Sequence, residues 1–159
     1  MLKTIDQSAD QVKELARTYV TSGEYQCAES IVRSFSEALD FPADLRYVTG
    51  FGGGLGNTHC VCGAYNGSVV VLNLLYGKDK RNGHNDKLIL GTSETLDNAI
   101  HRLDAAFKDV YKTTCCKILT RNVEWGSPEH GAHCAGLTEK TAEILWTLIQ
   151  ELESEKASA

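Results

Sequence analysis

The sequence has no basic stripe and no long apolar run, and its first residues are not expected to form a targeting segment. Its 16 Lys and Arg residues are outnumbered by 21 Asp and Glu residues, and the formal net charge is −5. A general nucleic-acid binder is therefore not expected, because such proteins displace counterions with clustered cations. No apolar segment approaches the roughly 20 residues needed to cross a bilayer. Asp6 and Asp10 interrupt the region where a signal peptide would be apolar. We expect a cytoplasmic protein without membrane insertion.

Two phosphate-binding motifs are also missing. A dinucleotide fingerprint requires glycines at offsets zero, two and five, and the third glycine is absent when counting starts at Gly50, Gly52 or Gly54. A P-loop requires Ser or Thr after Gly-Lys, but Asp79 follows Gly77 and Lys78. The glycine-rich stretch at residues 50–67 is therefore not expected to bind a nucleotide phosphate.

Cysteine and glycine are the abundant chemical signals. The chain has 14 glycines and six cysteines, namely Cys27, Cys60, Cys62, Cys115, Cys116 and Cys134. A reducing cytosol keeps most thiols unpaired, so cysteines in an untargeted chain point to metal or redox chemistry. Local Cys-x-x-Cys pairs are absent, which weakens both a zinc knuckle and a thioredoxin-like site.

Hydrophobic periodicity predicts an all-α fold in a single domain of residues 1–159. The chain should form a compact multi-helix domain with a Gly/Cys-rich loop at the metal site. The first predicted helix begins at Ser8 or Asp10 and ends at residue 22. Four longer helices are predicted at 27–39, 62–76, 93–111 and 137–152, and a short one begins at Pro42. A loop is predicted at 77–91.

The glycine-rich stretch "GFGGGLGNTHCVCGAYNG" should bring backbone amides close to a bound group, since glycine adopts positive φ and lacks a β-carbon. Gly52, Gly53, Gly54 and Gly63 are therefore candidate cofactor-binding residues. Cys27 and Cys62 begin predicted helices, where the helix dipole is expected to lower a thiol pKa.

Cys116 and Cys134 lie in two further segments close to helix ends, so four thiols could converge from separate parts of the chain. Their separations are too long for a zinc knuckle, although zinc remains possible. An iron-sulfur cluster fits better, because thiolates are its usual ligands and nearby amides tune its potential.

The sequence resembles a known family. "Cys62-Gly63-Ala64-Tyr65-Asn66-Gly67" matches the central block of the redox-active C_GCAxxG_C_C proteins, and four cysteines are in register with the family name. The likeness extends through "YQCAESIVRSF", "VTGFGGGLG", "VLNLLYG", "FKDVYKTTCCKIL" and "CAGLTEKTAEIL". It covers residues 23–150, which makes residues 1–22 a helical N-terminal extension.

The resemblance implies a small helical redox protein with a cysteine-ligated iron-sulfur centre, as in the similar non-haem portion of split-Soret cytochromes. The implied ligands are Cys27, Cys62, Cys134 and one of Cys115 and Cys116, with Cys116 preferred from the family spacing. The haem-attachment pattern Cys-x-x-Cys-His is absent, so no c-type haem is expected. Cys60 and the spare cysteine could enlarge the cluster, substitute for ligands or act as resolving thiols.

Three functions remain open from the sequence. The first is electron transfer or redox sensing by an iron-sulfur protein that has a redox partner protein and, by fold-level analogy, forms a homodimer. The others are a thiol-disulfide oxidoreductase and a zinc-stabilised module without redox activity, so enzymatic activity is undecided. His59, His130 and His133 are interpreted as residues that support the cysteines. Trp125 is expected to cover the centre or contact a partner, and Trp146 to lie in the core or a dimer surface.

Overall fold

The computed structural model describes residues 8–77 and 94–158, which form seven α-helices and two short 3-10 helices. The α-helices are α1 (Ala9–Ser22), α2 (Cys27–Leu39), α3 (Gly52–Leu55), α4 (Gly63–Tyr76), α5 (Glu94–Tyr111), α6 (Cys116–Leu119) and α7 (Pro128–Ser158), and the 3-10 helices are Leu45–Tyr47 and Thr49–Phe51. These residues contain one isolated antiparallel bridge, between Val61 and Cys115, and no strand. The predicted all-α fold is confirmed.

The ends of α1 follow from local sequence signals. Ser8 precedes the helix, and its Oγ accepts a hydrogen bond from the Gln11 backbone amide at 3.3 Å. The Gln11 side chain in turn accepts from the Ser8 amide at 2.8 Å, which completes a capping box. Gly23 ends the helix with φ of 76°. The predicted start of α2 at Cys27 is also confirmed.

The helix predicted from Pro42 is wrong. Residues 42–44 are not helical, and two 3-10 turns follow them instead. The Asp44 carboxylate accepts from the Arg46 amide at 3.0 Å and so caps a single turn that begins at Leu45. The chain then enters the glycine-rich loop before a longer helix can form.

Helix α7 begins at Pro128, well before the predicted start at Leu137. Ser127 precedes it, and its Oγ accepts from the His130 amide at 3.1 Å. Proline suits the first position of a helix because its missing N–H would have no partner there. As a result, Cys134 lies within the second turn of α7 and not in a loop.

The helices pack so that α1 lies along α7 and α2 lies against α4. Trp146 is buried in the core, with its ring centroid 6.1 Å from that of Phe35. The backbones of α2 and α4 approach closely at Gly67, where the missing β-carbon leaves room. A β-carbon added there would lie 2.6 Å from the Ala28 carbonyl oxygen. The predicted smooth side of α4 is therefore confirmed, and it brings the starts of α2 and α4 together.

Two further points concern the limits of the helical bundle. Among residues 8–77 and 94–158, no helix combines the length and apolar character that a bilayer crossing requires. Apart from Gly77, the predicted loop at 77–91 lies outside the residues that the structure describes.

Candidate metal centre

Four cysteines from four separate segments line a single cavity of about 230 Å³. Cys27 is the first residue of α2, Cys62 immediately precedes α4, Cys116 is the first residue of α6, and Cys134 lies in the second turn of α7. These are the four thiols that sequence analysis grouped together, with Cys116 chosen over Cys115.

The six thiols differ in exposure, and all are free. Cys62 and Cys116 are buried, Cys27, Cys115 and Cys134 are partly buried, and Cys60 is exposed. Cys60 and Cys115 do not line the cavity. The structure therefore separates these two predicted candidate ligands from the other four.

A backbone bridge holds the segments of Cys62 and Cys116 together. The Cys62 amide donates to the Thr114 carbonyl oxygen at 2.8 Å, and the Cys116 amide donates to the Cys60 carbonyl oxygen at 2.7 Å. These bonds flank the isolated bridge between Val61 and Cys115. Two cavity thiols that are far apart in sequence are thereby fixed relative to each other.

Glycines let the backbone approach the sulfur atoms. Gly53 and Gly54 have φ of 61° and 70°, in the left-handed region that glycine adopts without strain. A β-carbon on Gly54 would lie 2.6 Å from the Cys116 β-carbon, and one on Gly63 would overlap the Cys27 sulfur. At Gly52, the Gln26 side chain fills the place of a β-carbon. Gly53 and Gly63 line the cavity, whereas Gly52 and Gly54 do not.

The loop carries backbone strain that sequence analysis did not predict. Leu55, Asn57 and His59 have φ of 72°, 60° and 60°, a region that residues with side chains seldom adopt. Such strained residues tend to concentrate at functional sites. Here they lie between the glycines and Cys60, where the chain folds back towards α6.

Burial raises the pKa of the cavity thiols. It raises the pKa of Cys62 to about 12, with neighbouring Cys27 adding to the effect. It likewise raises the pKa of Cys134 to about 12 and that of Cys116 to about 11, again with a contribution from Cys27. Without a positively charged occupant, these thiols are protonated at neutral pH.

The pKa of Cys27 is also raised by burial, although backbone amides oppose the rise. Gly53, Ala28 and Ala64 donate hydrogen bonds that favour its thiolate. The sequence prediction that helix starts lower the pKa of Cys27 and Cys62 is therefore wrong for the protein without a bound group. The helix-start positions are as predicted, but desolvation outweighs the dipole and the amides.

The cavity offers no charge that could balance a thiolate. Among the described residues that line it, none carries a carboxylate, ammonium or guanidinium group. The polar lining side chains other than the cysteines are Gln26, Asn57, Thr120, His130 and Thr138. Four thiols without a protein counter-charge, close to backbone amides, are a donor set suited to a soft, positively charged metal group.

Aromatic rings cover one side of the cavity. Trp125 stacks on His59 with ring centroids 3.8 Å apart, and its ring lies 4.2 Å from that of His130. Trp125 and His130 line the cavity, and His130 Nε2 lies 3.5 Å from Cys134 Sγ. Burial, followed by His133 and His59, lowers the pKa of His130. His133 contacts the Leu119 carbonyl oxygen at 2.8 Å instead of the cavity thiols.

Thr138 is a cavity residue that sequence analysis missed. It is fully buried and lines the cavity, and its Oγ1 has no hydrogen-bond partner among the described residues. Its position four residues after Cys134 on a helix is the sole sequence signal, because residues four apart share a helix face.

The described side chains show no preformed site for a single metal ion. Thiolates arranged tetrahedrally at 2.3 Å from zinc would lie about 3.8 Å from one another. In the part of the chain that the structure describes, no three His, Cys, Asp or Glu side chains are grouped closely enough for a single ion. The four cysteines share a cavity without forming a ready-made coordination group.

Comparison with known proteins identifies one relationship. The sequence model described as "Putative redox-active protein (C_GCAxxG_C_C)" matches residues 25–148, which is more than half of the chain. No curated protein and no solved structure matches the chain.

Proposed function

We propose that this protein is an iron-sulfur redox protein whose cavity cysteines hold one cluster. The chain belongs to the C_GCAxxG_C_C family of redox-active proteins, which supports the proposal. The observation that carries this proposal is the convergence of Cys27, Cys62, Cys116 and Cys134 on one cavity. The cluster would supply a one-electron change, for electron transfer or for redox sensing.

The residues of the chain have distinct roles in this proposal. The four cysteines lose their protons when they bind iron, because only a thiolate is a strong ligand. The amides of Gly53, Ala28 and Ala64 stabilise negative charge on the Cys27 sulfur. Trp125, which stacks on His59, lines the cavity and limits the access of water.

A zinc-stabilised module has less support. Structural zinc is usually held by local Cys-x-x-Cys pairs, and the sequence has none. A cluster of several iron atoms holds its thiolates farther apart than one ion does. Four cysteines that reach one cavity from four separate segments of the chain therefore favour a cluster.

A thiol-disulfide oxidoreductase also has less support. Such enzymes need a nucleophilic thiolate near neutral pH. Burial raises the pKa of Cys62 and Cys134 to about 12, which opposes thiolate formation in the metal-free protein. A redox partner protein, a cytoplasmic location and a homodimer remain predictions from the sequence.

Anaerobic reconstitution tests the proposal. Purified protein would be incubated with iron and sulfide under reducing conditions, desalted, and assayed for iron, acid-labile sulfide, visible absorption and electron paramagnetic resonance. We expect bound iron and sulfide and a visible charge-transfer band. Cys134→Ser should lose most of the iron, whereas Cys60→Ser, which alters an exposed thiol outside the cavity, should retain it. Colourless, iron-free wild-type protein would contradict the proposal.

A further inference from the structure

Thr138 is a buried residue on the same face of α7 as Cys134. The residue lies one helical turn after Cys134, and its exposed fraction is 0%. Both residues line the cavity. The hydroxyl is therefore shielded from water, and its residue belongs to the wall of the cavity that the four thiols line.

Other buried hydroxyls on the described helices bond to the preceding turn. Thr141 Oγ1 donates to the Leu137 carbonyl oxygen at 2.6 Å, and Ser68 Oγ donates to the Ala64 carbonyl oxygen at 2.9 Å. This is the usual way in which Ser and Thr are accommodated within a helix. Thr138 Oγ1 departs from it and has no partner among the described residues.

An unsatisfied buried hydroxyl is costly. Leaving such a group without a partner costs about 1–3 kcal/mol, and native proteins have few of them. Thr120 also lines the cavity, but its hydroxyl already donates to the Cys116 carbonyl oxygen at 2.8 Å. Among the lining hydroxyls of the described residues, that of Thr138 is the one without a protein partner.

We infer that Thr138 donates a hydrogen bond from Oγ1 to a sulfur atom of the group held by the four cysteines, and thereby raises its reduction potential. This inference rests on the proposed function. Reduction adds negative charge to the sulfur atoms, so a donor aimed at them stabilises the reduced state more than the oxidised state. Thr138 is thus a positioning and tuning residue and not a ligand.

Three variants test the inference. Thr138→Val removes the hydroxyl with little change of shape, and Thr138→Ser retains it. Thr141→Val is the matched control, because it removes a buried hydroxyl from the same helix that already has a protein partner. The reconstituted proteins would be titrated anaerobically with dithionite, with the reduced fraction followed by electron paramagnetic resonance. The metal-free proteins would be melted by heating.

We expect Thr138→Val to weaken reduction about threefold to tenfold, which corresponds to a potential about 30 to 60 mV more negative for a one-electron couple. Thr138→Ser and Thr141→Val should stay within a factor of two of wild type. Metal-free Thr138→Val should melt at or above the wild-type temperature, because an unsatisfied group has been removed.

The outcomes separate the two proposals. If wild-type protein takes up no iron, both are overturned. If it takes up iron but Thr138→Val has the wild-type potential, the role of Thr138 is overturned and the proposed function stands. The role of Thr138 would also be overturned if metal-free Thr138→Val melted at a lower temperature than metal-free Thr141→Val. The Thr138 hydroxyl would then have a partner without any bound group.

Discussion

The sulfur of Cys27 occupies the space beside the α-carbon of Gly63 in which a side chain at residue 63 would begin. The Phe51 carbonyl oxygen and the Ala28 amide nitrogen would lie 3.1 and 3.4 Å from such a β-carbon, so the backbone closes the other sides. The start of α4 therefore determines where the thiol at the start of α2 can lie. This contact links a glycine of the family block directly to a cysteine 36 positions earlier in the sequence.

Substitution of Gly63 should reduce the iron content of the protein strongly and its folding stability moderately. In Gly63→Ala, the new methyl group must displace the Cys27 sulfur, because a side chain moves more easily than the surrounding backbone. We expect iron per chain after anaerobic reconstitution to fall by at least half and the free energy of unfolding to fall by about 1–3 kcal/mol. Iron assays and urea unfolding measure the two effects.

Gly136→Ala is the matched control for Gly63→Ala. Gly136 lies in α7, and an added β-carbon would have no atom within 4 Å. Alanine should stabilise the helix by about 0.5–1 kcal/mol and leave iron content unchanged. Equal iron content in the two variants would show that Cys27 is not needed in its observed position.

Two adjacent cysteines should behave differently when each is replaced by serine. Cys116 is buried and lines the cavity. Cys115 is partly buried and does not line the cavity, and its Sγ lies 3.9 Å from the His59 carbonyl oxygen. Cys116→Ser should lose most of its iron and its visible absorption, and Cys115→Ser should keep both. The opposite pattern in iron assays would assign the ligand to Cys115.

Alkylation of the metal-free protein should be selective. Cys60 is exposed, whereas Cys62 is buried and its pKa is about 12, so its thiolate fraction at pH 8 is on the order of 10⁻⁴. Iodoacetamide at pH 8 should therefore modify Cys60 at least tenfold faster than Cys62. Peptide mass spectrometry over a time course measures both rates, and comparable rates would refute the burial of Cys62.

Alkaline pH should destabilise the metal-free fold through two partly buried tyrosines. Burial raises the pKa of Tyr65 to about 12, with Asp104 adding to the effect, and burial likewise raises the pKa of Tyr111 to about 12. In the unfolded chain these groups titrate near 10. The folded state therefore binds more protons between pH 10 and 12, and the free energy of unfolding falls as pH rises through that range.

Urea unfolding at pH 8.5 and at pH 11.5 measures this loss. Tyr65→Phe removes one of the titrating groups and should reduce the difference between the two pH values. The Tyr65 hydroxyl contacts Asp104 Oδ1 at 3.3 Å, so the same variant also removes a hydrogen bond at both pH values. Identical stability of the wild-type protein at the two pH values would contradict the prediction.

The predictable parts of the fold are those that depend on local signals. Ser8 and Gly23 mark the ends of α1, and the start of α2 at Cys27 follows from its apolar periodicity. The start of α7 was also encoded locally, by Ser127 followed by Pro128, but the interpretation placed it at Leu137. The helix from Pro42 was wrong because capping by Asp44 produces a single 3-10 turn there.

The predictable part of the candidate site is the grouping of its cysteines, since the family pattern marked four of them. The pKa direction was wrong because helix starts are visible in the sequence, whereas desolvation depends on what packs around each thiol. The unpaired hydroxyl of Thr138 could not be predicted either. Whether a threonine bonds to the preceding turn depends on its rotamer and on the cavity beside it.

The position of Trp125 gives the protein an internal fluorescent probe. The chain has two tryptophans, and Trp146 is buried against Phe35 in the core while Trp125 is 40% exposed at the cavity. A light-absorbing group in the cavity would quench the indole of Trp125 by energy transfer at short range. Comparison of emission spectra from wild type and Trp125→Phe would therefore report loading and release in real time, without any added dye.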